Sequence, residues 1–170
     1  MAGKLVQVAT NTVTSAVANV TLTGIDSDDV YMVAVNNFTP TTDNVSVSLK
    51  FTVSGTADSS SNYDRAFKFF KADTTFSNIS STNQTELLVG NIGTGTSESY
   101  QAIYYLYNFN NASEYSFCTV EVSARDLNGN LLGGQGGGVL TVAQATDGVQ
   151  YFMQEGNITV GKFRLFGLAK

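Results

Sequence analysis

Five glycines in six positions, Gly133, Gly134, Gly136, Gly137 and Gly138 of "LLGGQGGGVL" (131–140), are the first candidate for chemistry in this chain. Clustered glycines cradle phosphate when a Lys and a Ser or Thr follow at nucleotide-loop spacing. They also do so when a strand, a tight turn and a helix N-terminus come in succession. Here neither Lys nor Ser follows Gly138 directly, and the sequel "VLTVAQA" is alternating and partly β-branched. Without a helix terminus the anion cradle has no donors. The glycines are therefore read as a backbone device entering a strand: a bulge, a sharp bend, or a close approach of another backbone. That backbone belongs either to this chain or to a neighbouring subunit, which makes Gly136, Gly137 and Gly138 candidate assembly contacts.

Three other constellations have residue types that could do chemistry. Asp26, Asp28 and Asp29 in "GIDSDDV" resemble part of a hard-cation site, but the turn glycine and closing Glu of a helix–loop–helix calcium loop are missing. A solvated acidic turn is the first reading, with an ion at a subunit junction as the alternative. Tyr104, Tyr105 and Tyr107 lie in "IYYLYNF". Alternation puts Tyr105 and Tyr107 on one face and Tyr104 on the other with Leu106. Packing is the first reading and a stacking platform for glycan the second. Cys118, the single cysteine, has no partner for an internal disulfide and, with no His in the chain, no imidazole to activate it. It is expected as a small buried hydrophobe. A Ser–His pair is likewise impossible, and none of the 14 acidic residues forms a recognisable pair. The expectation is no catalytic residues, no cofactor and no metal.

The elements that must carry these residues are strands. The 170 residues suit one domain. Charged residues are 14% of the chain, against roughly 25% in ordinary soluble domains, so Ser, Thr, Asn and Gln must build much of the surface. A net charge of −5 disfavours nucleic acid. No run reaches the roughly 18 apolar residues of a spanning helix, and "MAGKLVQVAT" lacks the apolar core of a secretory signal. "NVSVSLKFTV" (44–53) alternates apolar and polar residues without a break, the mark of a strand with one wet face. Similar reasoning places strands at 4–9, 18–25, 102–109, 114–124, 138–145, 149–153, 158–168 and 30–37, about nine in all. Those at 30–37 and 102–109 are more continuously apolar, as in strands covered on both faces. Asn128-Gly129 is a hairpin signal, and 62–76 reads as strand rather than helix. The expected fold is all-β, an antiparallel β-sandwich of jelly-roll type.

The polar segments 54–63 and 90–100 look like surface loops. They contribute Asn62, Tyr63, Thr94, Gly95 and Thr96 as further contact candidates. Residues 1–16 are read as an N-terminal arm able to extend across a neighbour, and 17–170 as the sandwich.

Several stretches resemble a group of small virion structural proteins of marine and cyanobacterial tailed phages: "VTLTGIDSDDVYMVAVNN" (20–37), "GTADSSSNYDRA" (55–66), "YLYNFNNASEYSF" (105–117), "GGQGGGVLTVAQATDGVQYF" (133–152) and "GNITVGKFRLFGL" (156–168). The likeness runs from about residue 17 onward. It weakens at the end, where members of the group carry "SGTF" followed by a Tyr-Gly pair. Lys162, Arg164 and Phe166 would alter the outer face of the last strand. The resemblance implies a jelly-roll or similar sandwich with no catalytic residues, found in the virion after assembly in the host cytoplasm. The expected role is a capsid decoration (cement) protein, acting as a homo-oligomer, foremost a trimer, on the major capsid protein. A tail or fibre head recognising host glycan is the alternative.

Overall fold

The computed structural model describes residues 4–27, 29–126 and 128–169. They form two antiparallel sheets packed face to face, a β-sandwich. In chain order the strands are β1 (Lys4–Val13), β2 (Asn19–Thr23), β3 (Tyr31–Pro40), β4 (Val45–Val53), β5 (Thr56–Ala57), β6 (Tyr63–Lys71) and β7 (Phe76–Gln84). Then follow β8 (Leu87–Ile92), β9 (Tyr100–Tyr107), β10 (Ser116–Arg125), β11 (Leu131–Leu140), β12 (Gly148–Met153) and β13 (Ile158–Ala169).

Eight of these strands make a jelly roll. One sheet contains β1-β13-β3-β9 in that order, and the other β2-β12-β4, with β8 and the short β5 both pairing with β4. The first sheet then continues past β9 through β10-β11-β6-β7. That four-stranded extension comes from two separate stretches of chain, β6–β7 inserted between β4 and β8, and β10–β11 between β9 and β12. The two stretches meet along the ladder between β11 and β6.

This seam explains the glycines. The run Leu131–Leu140 is a regular strand paired without a register shift to β10 on one side and β6 on the other, so the bend expected from its sequence is absent. What the glycines provide is space. Gly134 stands opposite Phe69, Gly136 opposite Phe67 and Gly133 opposite Phe70. A Cβ at Gly134 would lie 2.6 Å from the Phe69 ring, one at Gly136 would be 2.7 Å from Phe67 Cα, and one at Gly138 would be 2.6 Å from Leu87. Aromatic rings folded across glycines of the next strand cover its bare backbone. The backbone that comes close is the chain's own.

Alternation elsewhere follows the pleat. β10 is the cleanest case: Ser116, Cys118, Val120, Val122 and Ala124 are buried, while Phe117, Thr119, Glu121, Ser123 and Arg125 are exposed. The core between the sheets is rich in aromatics. Phe38, Tyr100, Tyr104, Tyr151 and Phe163 are fully buried and meet with ring centroids 5.1–5.9 Å apart, within the range of favourable ring pairs. The Tyr100 and Tyr104 hydroxyls bond each other at 2.7 Å. The buried Tyr151 hydroxyl has no hydrogen-bond partner among the described residues.

Four strands lie between 54 and 100, where the sequence suggested one strand among loops. Residues 4–13 of the segment read as an arm lie along β13 as the outermost strand of the larger sheet.

Gly136→Ala should destabilise the isolated chain by about 1–3 kcal/mol, the usual cost of overpacking, because backbone cannot move out of the way. Gly137→Ala meets only the Cys118 carbonyl, at 3.0 Å. That tightness is offset by roughly 0.4–1 kcal/mol from a stiffer unfolded chain, so the net change should be small. Urea unfolding of both variants checks the contrast. Tyr151→Phe should leave stability unchanged or raise it. Tyr100→Phe, which strands the Tyr104 hydroxyl in the core, should cost about 1–3 kcal/mol.

Candidate functional site

The outer face of the larger sheet is where sequence and structure disagree most usefully. Strands β3 and β9 are apolar on both faces, yet only one face of each packs against the second sheet. On the other face stand Met32 and Ala34 from β3, and Ile103, Tyr105 and Tyr107 from β9. Ile103 remains 39% exposed and Tyr105 40%, so the expectation that these strands are covered on both sides fails. A jelly roll has two layers, and none of the described residues provides a third.

Register turns these residues into rows across the sheet. Phe166, Met32 and Tyr105 are consecutive cross-strand neighbours, and the row goes on through Thr119, Gly137, Ala66 and Ser80. The next row contains Tyr107, Phe117 and Val139. Along the first of these rows bulky residues occupy the jelly-roll half, while small ones floor the extension. Two shallow troughs result. One, of about 690 Å³, has Gly137 and Ala66 in its floor and Phe117 and Val139 in its wall. The other, of about 400 Å³, lies between Ala34 and Ile103 and is edged by the polar residues Asn36, Gln101, Glu121 and Ser123. The second trough sits where β3 shifts register between Val35 and Phe38. Asn37, at φ 52°, donates its backbone N–H there to Gln101 Oε1 at 2.7 Å.

The structure separates the three tyrosines of the glycan platform. Tyr105 and Tyr107 share the outer face, with the Tyr107 hydroxyl 3.4 Å from Thr119 Oγ1, while Tyr104 is wholly inside the core. Lys162, Arg164 and Phe166 all lie on the same outer face, Lys162 being exposed.

Among the contact candidates, Gly137 opens onto the larger trough. Gly136 and Gly138 face inward beneath Phe67 and Leu87. Tyr63 has no exposed surface; its hydroxyl accepts from the Phe51 N–H at 3.0 Å and donates to the Asp58 carbonyl at 3.1 Å, which makes it a core residue. The Asn62 carbonyl is occupied by the Thr141 N–H and hydroxyl, at 2.8 and 2.9 Å. Thr94, Gly95 and Thr96 are exposed in a loop held by the Thr94 N–H on Asp43 Oδ1 at 3.0 Å and the Gly95 N–H on Glu98 Oε2 at 2.9 Å.

In the acidic turn, Asp28 lies outside the described residues. Asp26 accepts from the Tyr31 hydroxyl at 3.2 Å and Asp29 from Ser27 at 3.0 Å. These carboxylates are engaged by hydroxyls of their own loop.

Sequence reasoning missed the cluster of Lys71, Asp126, Asn44 and Asn91, which comes together only when β6, β8 and the β10–β11 turn meet. Its members carry no local motif. No protein-family model matches the chain, and no curated protein is similar to it.

Cys118 is buried on β10, and burial pushes its thiol up to about 12. Burial likewise raises Tyr63, Tyr100, Tyr104 and Tyr151 above the ordinary tyrosine value. Each of these groups is neutral when protonated and holds its proton more tightly in the folded state. Their contribution to stability is full below the unfolded-state values, about 8.5 for Cys and 10 for Tyr, and is lost as pH rises above them. Unfolding free energy should therefore start to fall near pH 9, and Cys118→Val should delay the onset to about pH 10. Urea titrations from pH 7 to 12 measure this.

Proposed function

We propose that this chain is an assembly module without catalytic function, a β-sandwich that works by laying one broad sheet face against another protein. Within that class, the reading is a capsid decoration protein of a tailed phage, acting as a homo-oligomer on the major capsid protein lattice. The observation that carries the proposal is the outer face of β3 and β9, where Ile103 and Tyr105 stand open to solvent at strand spacing beside Met32, Ala34 and Tyr107. Exposed apolar patches of this kind mark interaction sites. The likeness of 20–37, 105–117 and 133–152 to tailed-phage virion proteins supplies the particular partner. Stabilisation of a shell would follow from mass action, since a protein that binds only the assembled lattice shifts the equilibrium towards it.

A tail or fibre head recognising host glycan is the second reading. What favours it is the pair Tyr105 and Tyr107 beside a trough edged by Asn36, Gln101, Glu121 and Ser123. The two readings differ in where density for this protein appears in imaged virions: over the capsid lattice for the first, at the tail for the second.

The double variant Ile103→Lys, Tyr105→Lys changes half-exposed positions, sets a cation opposite Glu121 and should unfold at nearly the same urea concentration as the parent. It should lose at least about tenfold in affinity for capsids lacking the protein, because charged groups placed at an apolar contact must be desolvated. Cosedimentation with such capsids is the measurement. Undiminished binding by the folded variant would remove the outer face from the interface.

A further inference from the structure

A third, smaller cleft opens at one end of the sandwich, where the inner face of the extension runs past β8. Its volume is about 250 Å³, below the roughly 300–1,000 Å³ of pockets for drug-sized ligands, so it takes a single ring rather than a long chain. The floor is apolar, with Phe69, Ile79 and Leu132. Gly90, at φ +128°, packs its bare backbone against the Phe69 ring, which a Cβ there would approach at 3.4 Å; Phe69 and Leu132 are buried, and Ile79 is only partly so.

The rim is polar and carries no net charge. Lys71 Nζ lies 3.2 Å from Asp126 Oδ2, whose other oxygen accepts from the Asn128 and Asn130 backbone N–H groups at 3.0 and 2.9 Å. Burial opposes ionisation of Asp126, but those amides and Lys71 together hold its carboxyl below the ordinary value. The pair is thus charged and internally neutralised, and Lys71 retains further N–H donors. Asn91 accepts from the Ser46 hydroxyl at 2.7 Å, leaving its amino group only a long 3.5 Å contact to Asn44 Oδ1. The Asn128 side chain makes no hydrogen bond to the described residues. Three carboxamides therefore offer donors and acceptors around an apolar floor.

We propose that this cleft binds one neutral pyranose unit of a glycan. The C–H face of the sugar would lie over Ile79, the half-buried member of the floor, and its hydroxyls would bond Asn44, Asn91, Asn128 and Lys71. A neutral ligand is favoured over an anion because Asp126 already satisfies the Lys71 charge, and a free phosphate would face that carboxylate. The assignment is separate from the outer face and holds wherever in a particle the chain sits.

The test is protein-observed NMR on the full chain with glucose, galactose, mannose and N-acetylglucosamine, each to about 100 mM, and inorganic phosphate in parallel. The expected result is saturable movement of the Asn44, Asn91 and Asn128 side-chain amides with at least one sugar, and none with phosphate. Asn128→Ala, which removes an exposed side chain with no hydrogen bond to the described residues, should weaken that binding about tenfold, the loss of one or two hydrogen bonds. Three results would overturn the proposal: no movement at the cleft with any of the four sugars, movement confined to residues around Tyr105, or phosphate binding in place of sugar. A folded Asn128→Ala protein that binds as tightly as the parent would do the same.

Discussion

The contact between glycine backbone on β11 and phenylalanine rings on β6 is the constraint on which the shape of this molecule depends. A jelly roll closes its larger sheet at β9, yet here the sheet is doubled in width by strands from two distant insertions. Two insertions can share a ladder only if their side chains do not compete for the space above it. Glycine removes that competition on one strand, and Phe67 and Phe69, only 5% and 3% exposed, fill the layer from the other. The result is a seam in which one strand supplies the backbone and the next supplies the core.

Both surfaces with functional interest derive from this doubling. On the outside, the extension continues the apolar rows of β3 and β9 onto a floor of Gly137 and Ala66, making a broad face with bulk at one end and relief at the other. On the inside, the extension outruns the opposing sheet. Phe69 is thereby held between Gly134 and Gly90, with a polar rim gathered above it. A plain eight-stranded jelly roll has neither the relief nor the end cleft.

The sandwich itself was legible in the sequence because period-two alternation is a local signal: 44–53 and 114–124 declare their buried faces without outside help. β7 was not legible. "FSNISSTNQ" is wet on both faces except at Ile79, so its strand form comes from the ladder with β6 rather than from its own pattern. The glycine run was misjudged for the same reason. Glycine alone signals a bend, and the residues that make it a straight strand sit on another part of the chain. The apolar doubling of β3 and β9 was visible, but burial by a third layer and an open face leave the same trace in sequence. Of the candidate residues, the alternation of Tyr104 against Tyr105 and Tyr107 was correct, whereas Tyr63 looked like loop because its anchor, the Phe51 N–H, is a tertiary partner. The Lys71–Asp126 cluster had no sequence signature at all.

The seam also imposes an order of events on the folding chain. β6 and β7 leave the ribosome long before β11, and until Gly134 and Gly136 arrive the rings of Phe67 and Phe69 lack the strand they fold across. During that interval β6 offers an open hydrogen-bonding edge and exposed aromatics, the combination most prone to pair with the wrong strand. Closure of the larger sheet is therefore a late, non-local step, slow in the way long-range strand pairing is slow. The polar, nearly uncharged β7 shields one side of β6 during the wait, which gives this unremarkable strand a role in the history of the molecule as well as in its final form.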